Sequence, residues 1–125
     1  MNPDFGTTNA ALIKDGAPRM SGKEIRHFIS GKTLTGDYGA AFKFKTYFDA
    51  SGLMEGKNNV GSHNRGEWSI NDRKSTLSVE WDAGWVASTS YAYAIDGNVK
   101  FYIANTGQWS TTLYDSEDGR QNLVP

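Results

Sequence analysis

The densest group of chemically competent side chains is His63-Asn64-Arg65-Gly66-Glu67. An imidazole titrates near neutral pH and can serve as general acid or base. The planar fork of Arg65 suits a carboxylate or phosphate. Glu67 could orient His63 or share its proton if the loop turns back. As catalytic residues, His63, Arg65 and Glu67 would support proton transfer of the lyase, isomerase or cyclase type. The plainer reading is a solvated loop leading into a strand whose outward face carries Glu67. Both readings stay open.

His27 and His63 are the only histidines, and cysteine is absent. Zinc without thiolates would need both histidines and a carboxylate. His27 falls on a helix and His63 in a loop, so no metal or cofactor is expected. Nucleophile-elbow, Walker, dinucleotide-binding and HExxH signatures are missing. Glu117-Asp118 lie in a polar tail and read as solvated.

Aromatic residues make a second constellation: Trp68, Trp81, Trp85, Tyr91, Tyr93, Tyr102 and Trp109. Such side chains combine apolar area with a polar tip, which suits a ligand pocket. Trp85 and Trp109 sit beside turns and would flank a mouth. Some of the others must build core. Lys43, Lys45 and Tyr47 alternate with Phe42, Phe44 and Phe48. Facing inward they would wall an acidic-ligand cavity; the three phenylalanines favour the outward direction.

Positioning these groups falls to short strands. The spacing predicts a single good helix over 21–30. Ser21 and Glu24 have capping-box spacing, Ile25, Phe28 and Ile29 form one stripe, and Gly31 follows. Residues 10–14 could add one helical turn. Alternating segments follow at 33–35, 41–48, 53–57, 65–70, 76–81, 85–95, 98–104 and 109–114. Along 85–95, Tyr91, Tyr93 and Ile95 share one side and the small residues Ser90, Ala92 and Ala94 the other. Asp96-Gly97 is the strongest hairpin signal. The fold class expected is all-β: an antiparallel up-and-down barrel of about eight strands, lipocalin-like, with one short N-terminal helix. Residues 1–20 read as an extended arm or flexible tail, 21–114 as the domain and 115–125 as a polar tail.

The order SGKEIRHFISGKTLTG, YFDASGLMEG, RGEWSI, LSVEW resembles a group of small bacterial exported or periplasmic proteins of unassigned function. The likeness spans roughly 21–98. It implies a lipocalin-like (calycin-like) barrel and an exported, periplasmic or secreted, location; the residues themselves leave the cytoplasm open too. Members often carry a cysteine pair near the positions of Val79 and Ser90, which this chain lacks. More distantly, G-x-W followed by alternating strands is similar to lipocalin-like and avidin-like barrels that hold small ligands.

The chain has 125 residues, with 13 basic against 14 acidic side chains and a net charge of -1. That suits one domain and argues against nucleic acid or an anionic membrane as partner. No apolar run approaches the ~20 residues of a membrane span. The first 20 residues show no charged n-region followed by an apolar stretch. Three functions follow: binding of a small apolar or aromatic ligand in an aromatic-lined cavity, an enzyme in that cavity, or an interaction or inhibitor module with an exposed aromatic rim. The oligomeric state is left open.

Overall fold

A computed structural model describes residues 1–125. Two helices, α1 (Ala10–Lys14) and α2 (Gly22–Ile29), precede eight strands. These are β1 (Lys32–Tyr38), β2 (Phe42–Phe48), β3 (Leu53–Asn58), β4 (His63–Asn71), β5 (Thr76–Trp81), β6 (Ser88–Ile95), β7 (Asn98–Ile103) and β8 (Trp109–Asp118). Each strand pairs antiparallel with the next, and β8 returns to β1. The expected all-β up-and-down barrel is therefore closed, and every strand has a neighbour on both sides. Strand limits shift where polar residues keep alternating: β1 runs on to Tyr38, and β8 passes Tyr114 to Asp118. Its outer residues pair with Lys32–Thr35, so the C-terminal tail is shorter than the polar composition suggested. At the other extreme, β6 starts at Ser88, and Trp85 lies in the preceding loop. Asp96 and Gly97 both have positive φ, as a two-residue hairpin turn requires.

The helix α2 plugs one end. Ser21 Oγ accepts from the Glu24 amide at 3.1 Å, and Glu24 Oε1 accepts from the Ser21 amide at 2.9 Å. This closes the predicted capping box and gives two orphan amides partners. Ile25 and Ile29 are fully buried among Leu34, Phe48, Trp68 and Leu77. Burial of each contributes about 1.5–3 kcal/mol. Arg26 ties the helix to the β4–β5 turn through a two-bond pair with Asp72, at 2.9 and 3.2 Å.

Both termini wrap the outside. The first 20 residues are docked on the wall, so of the two expectations, an extended arm or a flexible tail, the tail is the one corrected. Asn2 donates to the carbonyls of Tyr38 and Gly39. Thr8 bridges Gln108, and the Met20 amide meets the Ala92 carbonyl at 2.8 Å. The arm supplies backbone partners without any hydrophobic period, so periodicity could not reveal it. On the opposite flank, Thr33 Oγ1 donates to the Gly119 carbonyl and accepts from the Gln121 amide. Leu123 is buried there. Neither helix is long and apolar enough to cross a membrane.

Candidate functional site

The end opposite α2 carries the β1–β2, β3–β4, β5–β6 and β7–β8 connections. Below that end, midway along the barrel, the inward face of β2 breaks its apolar pattern: Phe44 and Phe48 flank Thr46, which is fully buried. Its hydroxyl has no hydrogen-bond partner. Thr46 lies opposite Gly56 of β3. A methyl group on Gly56 would stand 2.7 Å from Thr46 Oγ1, 3.0 Å from Trp81 Cη2 and 3.3 Å from Trp85 Cζ3. The missing side chain thus makes room for two indoles and the hydroxyl at one point. The indoles contact edge-on, with centroids 4.6 Å apart and planes at 62°.

Uncharged polar groups frame this point. Trp85 Nε1 donates to Ser62 Oγ at 3.0 Å. Asn58 receives the Val60 and Ser62 amides and donates to the Tyr38 hydroxyl at 2.9 Å. Asn64 Nδ2 donates to the Ala83 carbonyl, and the Asp82 amide to the Arg65 carbonyl at 2.8 Å. These two bonds moor the start of the loop 82–87. Tyr38 packs edge-on against Phe44 and stacks on Phe42.

Beside the loop, β5 and β6 share only three residue pairs, Leu77–Ser90 to Val79–Ser88. Where they splay, a cleft of about 870 Å³ opens, lined among others by Trp68, Val79, Val86, Ala87 and Thr89. Glu67 and Glu80, cross-strand partners, also line it.

The structure divides the aromatic set. Trp81 and Trp85 meet toward the end opposite α2. Trp68 points into the core but toward the α2 end, where its Nε1 donates to the carbonyls of Asp49 and Leu53. The expected pocket lining by Tyr91, Tyr93 and Tyr102, with Trp109 at its mouth, is corrected. These four lie outside, packed with Leu12 and Ala17 of the arm. The small face of β6, Ser90 and Ala92, turns inward instead. Arg19 sits over the Tyr91 ring at 4.1 Å. Burial under the arm pushes the Tyr102 phenol above its ordinary range, with the negative charge of Asp4 adding and Lys100 opposing. Nearby, Asp4 joins Lys100 Nζ and Thr112 Oγ1, each at 2.9 Å.

His63, Arg65 and Glu67 occupy alternate, exposed positions of β4, outside the barrel. Residues on one strand face advance about 6.6 Å per pair, so Glu67 does not reach back to His63. The partner of His63 is Glu55, at 2.5 Å, which also holds Arg120 at 2.8 Å. Arg120 is the main cause that holds the Glu55 carboxyl below its ordinary range; burial opposes, and His63 adds to the lowering. This trio fastens the C-terminal segment to the wall. No group of three or more metal-ligating side chains comes together. Lys43 and Lys45 also point outward, with Lys43 paired to Asp37 and the Tyr114 hydroxyl.

Thr46 and Gly56 were not legible as site residues from motifs. Their signal was a lone hydroxyl amid phenylalanines on an inward face, opposite a glycine. Compared with protein-family models, curated proteins and solved structures, the chain matches none.

Proposed function

We propose that this barrel binds a small, uncharged, mainly apolar or aromatic molecule at its open end. The observation that carries this reading is the buried, unpartnered Thr46 hydroxyl beneath the Trp81–Trp85 pair. Leaving such a group unmet costs about 1–3 kcal/mol, and buried polar groups in folded proteins almost always have partners. A ligand carrying a hydrogen-bonding group would supply the partner. Eight strands make a barrel just wide enough to be filled or to hold one small molecule.

The side chains around the point include Thr46, Asn58, Ser62, Asn64, Trp81 and Trp85, none of them charged. An ionised ligand would enter unpaired, at a cost far above any gain in area. Neutral ligands are therefore favoured. The trio His63, Arg65 and Glu67 faces away from this point, so the reading assigns it no acid–base chemistry.

Native mass spectrometry of protein purified from its own host tests the reading. The expected result is a stoichiometric mass excess that denaturation releases as a neutral, ring-containing molecule. A bare mass, together with no calorimetric heat against a panel of neutral aromatic compounds, overturns it.

A further inference from the structure

We infer that Trp85 is a displaceable plug whose indole holds the place of the ligand's own ring. This rests on the reading above and names its ligand class: a neutral fused-ring molecule of about indole size, with one hydrogen-bonding group that meets Thr46 Oγ1.

Trp85 is the one residue of the loop 82–87 that sinks inward; Asp82, Ala83, Gly84, Val86 and Ala87 are exposed. Val86 is 85% exposed, so nothing packs the loop down on the β6 side. The indole is held by its contact with Trp81 and by one hydrogen bond to Ser62. Another aromatic ring could take over the contact with Trp81, and the partly exposed Ser62 hydroxyl can turn to water. The moorings at Ala83 and Asp82 lie on the N-terminal side of the loop, so a swing of the segment from Gly84 onward leaves them intact and breaks one backbone bond, from the Trp85 amide to the Ala83 carbonyl at 3.0 Å. The cleft along the β5–β6 seam adjoins Val86 and Ala87 and offers space for that swing.

Withdrawal of the Trp85 ring would leave a space bounded by Gly56, Trp81 and the Thr46 hydroxyl. Gly56 contributes no side chain, so a flat ring can lie against its backbone. Trp81 keeps its strand position and offers an aromatic wall, and Thr46 remains the polar contact at the base. A fused ring matches the shape of the indole that it replaces.

The test titrates 2-naphthol and its charged counterpart 2-naphthoate into the full chain, read by calorimetry and by the NMR signal of the Trp85 indole N–H. Wild type is expected to bind 2-naphthol and not 2-naphthoate, with the Trp85 signal moving to a solvent-exposed position. Trp85→Ala should bind 2-naphthol at least about tenfold more tightly, because no plug has to leave. Ser62→Ala, which keeps the ring and removes its hydrogen bond, should bind several-fold more tightly. Thr46→Val should weaken 2-naphthol about tenfold, the loss of one hydrogen bond. Binding that leaves the Trp85 signal in place, with Trp85→Ala and Ser62→Ala no tighter than wild type, overturns the plug and leaves the proposed function standing. Absence of binding to wild type, Ser62→Ala and a folded Trp85→Ala overturns both. Tight 2-naphthoate binding overturns the ligand class.

Discussion

Thr46 and Gly56 face each other across the β2–β3 ladder, and the hydroxyl of one occupies the room left by the other. Gly56→Ala therefore inserts a methyl into filled space, within 2.7 Å of Thr46 Oγ1 and 3.0 Å of Trp81. Overpacking of this kind costs about 1–3 kcal/mol. Thr46 and Trp81 are on strands and resist moving, whereas Trp85 is on a loop. The expected outcome is a lower urea midpoint with a red shift of tryptophan emission before global unfolding, as Trp85 is driven out. Unchanged emission and midpoint would show that the interior has slack at this point.

The converse substitution removes the orphan group. Thr46→Val keeps the shape and deletes a hydroxyl that has no partner. An unmet buried hydroxyl costs about 1–3 kcal/mol, so the ligand-free protein should gain about 1 kcal/mol and melt a few degrees higher. A loss of stability would mean that the hydroxyl is served in solution, by water or by a bound molecule. The gain in stability and the loss of 2-naphthol affinity are separate readouts of one atom.

The pH response isolates the C-terminal fastening. Glu55 titrates below the ordinary 4.5 of a glutamate, chiefly because Arg120 donates to it, while burial opposes and His63 assists. A depressed carboxylate stabilises the fold above its unfolded value, and that contribution fades as pH falls through the folded value. Acidification below about pH 4.5 should therefore loosen residues 119–125 first. The hydrogen-exchange protection factor of the Gln121 amide, now bonded to Thr33 Oγ1 at 3.0 Å, should fall there. Asp49 and Asp72 are also lowered, by Ser51 and Arg26 respectively, so whole-protein melts mix several groups. Glu55→Gln separates them. Its Gln121 protection factor should be low already at neutral pH and lose no further step in acid. A matching acid step in the variant would assign the loosening to other carboxylates.

Local chemistry made the scaffold readable. The S-x-x-E spacing at Ser21, the Asp96-Gly97 turn and the period-two strands each impose a backbone conformation on few neighbours. Alternation also sorts residues into two faces, but it does not say which face is inside. On β6 the large tyrosines and the small Ser90 and Ala92 were equally good candidates for the interior. The decision lies in residues 1–20, which bury Tyr93 and Tyr102 from outside through contacts far apart in sequence. For the same reason His63 could not be matched to Glu55, a partner on the neighbouring strand, before the register was known. The Trp81–Trp85 meeting depends on that register too, since Gly56 of β3 is what admits both rings.

The arm's role on the outer wall gives a further prediction. Asp4 is the one carboxylate bonded to both Lys100 and Thr112, and Thr112 in turn accepts from Trp109 Nε1 at 2.9 Å. The Asp4 and Lys100 side chains are 19% and 21% exposed, so water screens the pair only in part. Asp4→Ala leaves Lys100 half-desolvated and takes an acceptor from Thr112. Hydrogen bonds to a charged group contribute about 1.5–3 kcal/mol. With the remaining exposure discounted, a loss of about 1–2 kcal/mol is expected in urea unfolding. Asp4→Asn can still accept from one partner and should lose less. The readout specific to the arm is the tyrosine titration: with Asp4 gone the arm lifts, water reaches Tyr102, and its phenol should ionise at lower pH than in wild type. Removing a nearby negative charge acts in the same direction, so Lys100→Met, which removes a positive charge instead, distinguishes the two causes. If lifting of the arm dominates, Tyr102 ionises earlier in both variants. If charge alone dominates, the Lys100→Met shift reverses sign, because a lysine beside a phenol favours its ionised form.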